Sequence, residues 1–313
     1  MTKVKAAVIQ AGSHGDDTQA TLDRALTQIA DCAAAGAKII VFPEAYIGGY
    51  PKGADFEIAI GQRTLKGRDE YRLYLEAAIP VPGEETRRLA EATAEAGVYA
   101  TVGVIEREGG TLYCTALYFG PEGLLGKHRK LMPTAAERLC WGFGDGSTMQ
   151  AVDTPWGKMG AVICWENYMP MLRMNMYAQD VAIYCAPTAD DRDSWAATMR
   201  HIALEGRCFV LSACQYLTRD RYPSGMANRI SDDEDAVLMR GGSVIISPLG
   251  EVLAGPDFSG ETVLYADLDL AEIPRGKFDF DVAGHYARPD VFSLKVDDRP
   301  KHAVSSASLT EKA

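Results

Sequence analysis

Short runs of apolar and β-branched residues recur along this chain, and helical stretches separate several of them. Some of these runs are apolar at consecutive positions, which is typical of strands that are covered on both faces. The pattern predicts strands at residues 4–10, 38–42, 98–105, 112–119, 158–163, 181–186, 208–213, 243–247 and 262–268. It predicts helices at residues 17–35, 84–96 and 194–205. The chain is therefore expected to belong to the α/β class.

Two strand–helix–strand units have a similar layout, at residues 4–42 and 158–186, and a proline ends the second strand of each. The pair Gly109-Gly110 joins two strand runs and predicts a hairpin, so the sheets should be mixed. We expect two similar sheets that pack face to face, with helices on the outer faces. Although 313 residues would allow two domains, this pattern favours one domain over residues 1–290, followed by an extended or partly disordered tail at 291–313.

The charge and cysteine content exclude several classes of protein. There are 32 Lys and Arg against 43 Asp and Glu, a net charge of −11, which argues against a surface for nucleic acid or anionic membranes. No apolar run approaches the ~20 residues that span a bilayer, so a cytoplasmic protein is expected. Seven cysteines without a C-x-x-C pair predict neither a disulfide framework nor a metal site.

Cys164 is the cysteine best placed for chemistry, because it ends a predicted strand and precedes a helical stretch. A thiol at a helix N-terminus is expected to have a lowered pKa. The alternative is a buried, inert cysteine, which is the expectation for the other six. A nucleophilic thiol also needs a base, and none of the five histidines forms an evident arrangement with Cys164. A papain-like Cys–His pair therefore stays open.

Three charged residues are further candidates. Glu44 follows a strongly apolar strand, and burial there would raise its pKa into a range suited to proton transfer; it could equally be a loop or capping residue. Lys130 ends the basic cluster at residues 127–130. It could be an ordinary surface charge, or its ammonium group could stabilise an anion that develops during a reaction. Glu137 lies seven residues later and could form a structural or a catalytic ion pair with Lys130.

The order of several segments resembles the carbon–nitrogen hydrolase superfamily. The segments are Phe42-Pro43-Glu44-Ala45, residues 128–138 and Cys164-Trp165-Glu166-Asn167. Residues 141–147 and the Cys164-Trp165-Glu166 sequence resemble the nitrilase branch, and the likeness continues through residues 184–190, 199–206, 241–248 and 284–290. Within that branch the chain is similar to plant and bacterial enzymes acting on aromatic or arylalkyl nitriles.

The resemblance implies a four-layer α-β-β-α sandwich and an enzyme that converts a nitrile and water into a carboxylic acid and ammonia, through thioimidate and thioester intermediates. It assigns Cys164 as nucleophile, Glu44 as proton acceptor, Lys130 as charge stabiliser and Glu137 as a supporting residue. It implies no cofactor and no metal, and it implies a homo-oligomer built from dimers, in some relatives a spiral. Candidate substrate contacts, each of which could instead be ordinary packing, are Tyr50, Trp141, Trp165, Pro187 and Thr188.

Two other functions remain open from the sequence. An amidase or carbamoylase of the same superfamily would use the same residues on an amide, and free cyanide is a possible substrate within the nitrilases. A non-catalytic scaffold protein could keep the fold, although the intact Glu44, Lys130 and Cys164 set argues against it. Asn167 stands where many relatives have histidine, which could alter the pocket or the product.

Overall fold

The computed structural model describes residues 3–304 and contains two large sheets flanked by helices. The strands are β1 (Lys3–Gln10), β2 (Ile39–Val41), β3 (Tyr99–Glu108), β4 (Thr111–Gly120), β5 (Gly123–Arg129), β6 (Lys158–Ala161), β7 (Val181–Thr188), β8 (Phe209–Cys214), β9 (Tyr216–Thr218), β10 (Val237–Arg240), β11 (Ser243–Ile246), β12 (Val252–Asp257) and β13 (Thr262–Asp269). The α-helices are α1 (Thr18–Ala34), α2 (Leu65–Ala77), α3 (Glu84–Ala96), α4 (Pro170–Ala178), α5 (Ser194–Gly206) and α6 (Glu272–Asp279).

Both large sheets are mixed, as the sequence predicts. The first sheet has the strand order β13-β1-β2-β3-β4-β5, and β1, β2 and β3 run parallel. The second has the order β12-β11-β8-β7-β6, and β6, β7 and β8 run parallel. The hairpin at Gly109-Gly110 is confirmed, since Glu108 pairs with Thr111 across β3 and β4. Strands β9 and β10 form a separate small sheet.

The hydrophobic clusters show four layers. The central cluster joins the facing sides of the two sheets, with Val8 and Val41 from the first and Ile183 and Leu211 from the second. A second cluster packs the opposite side of the first sheet against α1 and α3, and a third packs the second sheet against α4 and α5. Alternating side chains of one strand therefore enter different layers, and the α-β-β-α sandwich is confirmed.

Strands β5, β9, β10 and β12 and helices α2 and α6 were absent from the sequence prediction. Strand β5 contains two glycines and a run of basic residues, which lowers its apparent β-propensity. Its charges are satisfied by tertiary contacts: Lys127 Nζ lies 2.6 Å from Glu106 Oε1 on β3, and Arg129 binds the same carboxylate. Such long-range ion pairs leave no periodic signal in the sequence.

The end of the described chain carries no helix or strand from residue 280 to residue 304. Residues 291–304 are exposed, and the backbone N–H of Lys301 donates to the carboxylate of Asp145 at 2.7 Å, so this part returns to the body of the protein. The rest of the predicted tail, residues 305–313, lies outside the described residues. Among residues 3–304, no helix has both the length and the apolar character needed to cross a membrane.

Gly103 on β3 allows the segment after β2 to pack closely against that strand. A Cβ atom at this position would lie 2.0 Å from the carbonyl oxygen of Pro43 and 2.9 Å from the Cα of Glu44. The same segment bonds to β3 through its backbone, because Ile47 N donates to Gly103 O at 3.1 Å. The absence of a side chain at Gly103 therefore determines where Glu44 lies.

Replacing Gly103 with alanine should destabilise the protein, since the new methyl group meets backbone atoms that cannot rotate away. We expect the free energy of unfolding, measured by urea denaturation, to fall by about 1–3 kcal/mol. The matched control is Gly110→Ala, where a Cβ atom meets nothing within 4 Å and the change should stay within about 0.5 kcal/mol. Equal effects at the two positions would contradict this explanation of Gly103.

Candidate active site

Glu44, Lys130 and Glu137 form a buried ion cluster. Glu44 follows β2, Lys130 directly follows β5, and Glu137 lies in a short 3₁₀ helix, Ala135–Leu139. Lys130 Nζ lies 2.7 Å from Glu44 Oε1 and 2.7 Å from Glu137 Oε2. Glu44 and Lys130 are each only 1% exposed. The structure thus brings together three residues that were singled out separately in the sequence.

The two carboxylates and the low polarity of the surroundings set the protonation of this cluster. Burial raises the pKa of the Glu44 carboxyl, and the adjacent Lys130 ammonium opposes that shift without cancelling it. Burial alone would lower the pKa of Lys130, but the nearby negative groups, with Glu44 foremost, raise it well above its ordinary value. Lys130 is therefore a cation at neutral pH, and Glu44 has an increased affinity for a proton.

Glu137 is held by two further hydrogen bonds. The backbone N–H of Thr134 donates to its Oε2 at 2.6 Å, and the hydroxyl of Tyr50 donates to its Oε1 at 2.7 Å. Burial and the charge of Glu137 raise the pKa of Tyr50 well above its ordinary value, so the phenol keeps its proton and remains a donor. Held by these contacts, Glu137 gives the Lys130 ammonium a second fixed carboxylate in addition to Glu44.

Cys164 lies in the turn that follows β6, at the first residue of a 3₁₀ helix, Cys164–Tyr168. Its φ is +51°, in the left-handed region that a residue with a side chain rarely adopts. The side-chain amide of Asn167 stabilises this backbone by donating to the carbonyl oxygens of Val162 at 2.9 Å and Cys164 at 2.8 Å. A strained turn that is held by its own hydrogen bonds is typical of a functional residue.

The expected lowering of the Cys164 pKa is wrong. Burial, followed by the negative charge of Glu44, raises the pKa of this thiol, and Lys130 opposes the shift only in part. Cys164 as a residue is 4% exposed, and the short 3₁₀ helix that it begins provides too few aligned peptide groups to outweigh burial. Cys164 is therefore a neutral thiol in the resting protein.

The Cys164 thiol and the Glu44 carboxyl are close enough to act on each other: the thiol lowers the pKa of the carboxyl, and the Glu44 charge raises the pKa of the thiol. Glu44 Oε1 accepts from Lys130 and from the Cys114 thiol at 3.5 Å, while Glu44 Oε2 has no partner among the described residues. His128 bonds instead to Glu166 and to the carbonyl oxygen of Thr148. The group facing Cys164 is thus a carboxyl, and the papain-like alternative finds no support.

The five candidate substrate contacts lie at different depths. The Thr188 hydroxyl donates to the sulfur of Cys164 at 3.2 Å. Trp141 is buried beside the ion cluster, with its ring centroid 5.3 Å from Lys130 Nζ and 5.7 Å from the ring of Tyr50. Trp165 is 41% exposed, and its indole N–H donates to Asp190 at 2.8 Å. Pro187 is buried in β7.

Several contacts at the site carried no sequence signal. The Gln215 amide donates to the carbonyl oxygen of Glu44 at 2.9 Å, although the two residues are 171 positions apart. Cys114 was expected to be inert and lies against Glu44. Among residues 3–304, no group of three or more His, Cys, Asp or Glu side chains is arranged to hold a metal ion. The groups that the structure brings together here are the Cys164 thiol, the Glu44 and Glu137 carboxyls and the Lys130 ammonium.

Comparison with known proteins agrees with this geometry. The carbon–nitrogen hydrolase family matches residues 5–277. The chain is 68% identical to the aliphatic nitrilase of Sinorhizobium fredii (strain HH103) over 304 residues, which cover 97% of this chain and 99% of the relative. It is 57% identical over 315 residues to a bifunctional nitrilase/nitrile hydratase of Lupinus angustifolius, covering 99% and 90% of the two chains.

Among solved structures, the carbon–nitrogen hydrolase of Helicobacter pylori G27 has a similar fold. The TM-score is 0.72 at 18% sequence identity, and the likeness covers 92% of this chain and 96% of that one. The fold, the match over most of the chain and the high identity to named nitrilases agree with one another. This chain belongs to the carbon–nitrogen hydrolase family and, within it, to the nitrilases.

Proposed function

We propose that this protein hydrolyses a nitrile to the carboxylic acid and ammonia, with Cys164 as nucleophile, Glu44 as proton acceptor, Lys130 as charge stabiliser and Glu137 as a supporting residue. The observation that carries the proposal is a buried carboxyl, Glu44, that binds the Lys130 ammonium at 2.7 Å and lies close enough to the Cys164 thiol for the two groups to shift each other's pKa. The names of the relatives support a nitrile over an amide as the substrate.

The first half of the reaction forms a covalent intermediate. Glu44 accepts the proton of Cys164 as the sulfur attacks the nitrile carbon, and a carbon–sulfur bond forms while one carbon–nitrogen π bond becomes an electron pair on nitrogen. The nitrogen takes up the proton, which gives a thioimidate. Lys130 stabilises the negative charge that develops on the nitrogen, because its ammonium group is fixed in place before the reaction begins.

The second half uses two water molecules. One water adds to the thioimidate carbon, and the tetrahedral intermediate expels ammonia to leave a thioester. A second water, activated by Glu44, attacks the thioester, releases the carboxylic acid and returns the proton to the sulfur. Glu137 keeps Lys130 aligned throughout, which its two additional hydrogen bonds to Thr134 and Tyr50 support.

We propose an aromatic or arylalkyl nitrile as the substrate, with Tyr50, Trp141, Trp165, Pro187 and Thr188 as candidate contacts. The ring of Trp165 is partly exposed and follows the nucleophile directly in the sequence, which supports its contact with an apolar substrate. An aliphatic nitrile is the second candidate, favoured by the name of the Sinorhizobium fredii relative. The buried ring of Trp141 is packed between Lys130 and Tyr50, which favours a supporting role for this residue.

Four further properties remain proposals. We propose that residues 1–290 form a single catalytic domain and that residues 291–313 form a tail. We also propose that the protein is cytoplasmic and uses no cofactor. The fourth proposal is that the protein self-associates through dimers, as its resemblance to the nitrilases implies. The family match to residue 277 and the lack of helix or strand from residue 280 to residue 304 support a domain boundary in this region.

The variant Cys164→Ala should fold and lose nitrile hydrolysis, because it lacks the sulfur that forms the covalent intermediate in the proposed reaction. Ammonia release from nitriles and from matched amides measures the activity, and urea denaturation checks the fold. Cys208→Ala is the matched control, since Cys208 is also buried and packs with the outer helices of the second sheet. Substantial turnover by Cys164→Ala would remove the assignment of the nucleophile, and turnover of amides alone would favour the amidase alternative.

Alkylation of Cys164 by iodoacetamide should become about tenfold faster for each unit of pH between 6 and 8. Burial and the Glu44 charge raise the pKa of this thiol, so the thiolate fraction grows over the whole range without a plateau. Mass spectrometry of the Cys164 peptide measures the rate. A rate that is constant above pH 6 would indicate a thiolate in the resting protein and contradict the raised pKa of the Cys164 thiol.

A panel of one aromatic, one arylacetic and one aliphatic nitrile, with free cyanide added, should show the largest kcat/KM for an aromatic or arylacetic member. Aromatic rings near the nucleophile would contact such a substrate over a large apolar area. Replacing Trp165 with leucine should lower kcat/KM for the ring-bearing nitriles by a larger factor than for the aliphatic one. Preference for the aliphatic nitrile, with no selective effect of this variant, would favour the second candidate.

A further inference from the structure

Glu166 connects two segments of the site that are far apart in the sequence. Its Oε1 accepts from the backbone N–H of Leu131 at 2.6 Å, and its Oε2 accepts from the backbone N–H of Ile163 at 2.9 Å. Leu131 immediately follows Lys130, and Ile163 immediately precedes Cys164. The Glu166 carboxylate thus binds the backbone of the residue after Lys130 with one oxygen and the backbone of the residue before Cys164 with the other.

His128 holds this carboxylate from a third direction. Its Nε2 lies 3.0 Å from Glu166 Oε2, and its Nδ1 lies 3.3 Å from the carbonyl oxygen of Thr148. The side chains of His128 and Glu166 are fully buried. The imidazole belongs to β5, the strand that ends next to Lys130, so the contact ties that strand to the turn that carries Cys164.

A purely local role does not account for these contacts. The bond from Ile163 N to Glu166 would by itself be an ordinary cap of the 3₁₀ helix Cys164–Tyr168. The bond from Leu131 N, however, crosses 35 positions of sequence and uses the second oxygen of the same carboxylate. A carboxylate with both oxygens bonded to two different segments fixes the distance between those segments.

We propose that Glu166 and His128 are positioning residues that set the distance between the Lys130 ammonium and the Cys164 sulfur. The proposal rests on the proposed nitrile hydrolysis. Lys130 must meet the nitrogen of a substrate whose carbon is bonded to Cys164, so the separation of the two groups determines how well the developing charge is stabilised. A displacement of about 1 Å in such a site can lower the rate by about 100-fold.

The test is Glu166→Gln, which replaces one carboxylate oxygen by an NH₂ group of similar size. An NH₂ group can accept from neither backbone N–H, so one of the two segments loses its anchor. We expect kcat per folded molecule to fall about 100-fold, while KM changes by less than about threefold. The control is Glu261→Gln, whose carboxylate binds Gly12, Arg24 and Arg221, and which should keep kcat within about threefold despite any loss of stability.

A second variant keeps the test decisive if Glu166→Gln does not fold. His128→Asn removes the 3.0 Å contact but leaves both backbone bonds of Glu166, and we expect kcat to fall roughly tenfold. The double variant should be no slower than Glu166→Gln, because the two residues act through one contact. A kcat within threefold of the wild type in either single variant would overturn the proposal, whereas an inactive wild type would instead remove the proposed function.

Discussion

The burial of the Lys130 ammonium between two carboxylates is the constraint on which the site depends. Moving an ammonium ion or a carboxylate out of water costs several kcal/mol even after the protein relaxes. The two 2.7 Å contacts to Lys130 offset this penalty, together with the hydrogen bonds that Glu137 receives from Tyr50 and Thr134. Because a buried charge without its partners would be strongly destabilising, every element that carries one of these groups must be held in place.

The four-layer fold holds these elements in place, because the groups of the site lie after the ends of strands in both sheets. Glu44 and Lys130 follow strands β2 and β5 of the first sheet, and Cys164 follows β6 of the second. The Cys164 thiol and the carboxyl proposed as its proton acceptor therefore come from opposite sheets of the central core. The proposed proton transfer then depends on how the two sheets pack, because a shift of one sheet would change the distance between the Cys164 sulfur and the Glu44 carboxyl. This dependence supports the proposal that the two similar halves belong to one domain.

The fold could be predicted from the sequence to a large extent, because buried strands and amphipathic helices leave local patterns. The four-layer arrangement and the hairpin at Gly109-Gly110 followed from such patterns, and the resemblance supplied the grouping of Glu44, Lys130 and Cys164. Strand β5 was missed because its charges are satisfied by Glu106 on β3. The bridge from Glu166 to Leu131 was missed for the same reason: its two ends are distant in sequence, and only the packed sheets bring them together.

The direction of the thiol pKa shift shows which physical effect dominates in this site. Position at the start of a helix favours a thiolate, but burial and the Glu44 charge act against it and prevail. The same burial raises the pKa of Glu44, so the proton affinities of donor and acceptor move in the same direction. A transfer from the Cys164 sulfur to Glu44 then keeps the net charge of the buried cluster unchanged. Since an uncharged nitrile adds no charge when it binds, the site can carry out the proposed attack by moving protons internally, without bringing a new ion into a low-polarity interior.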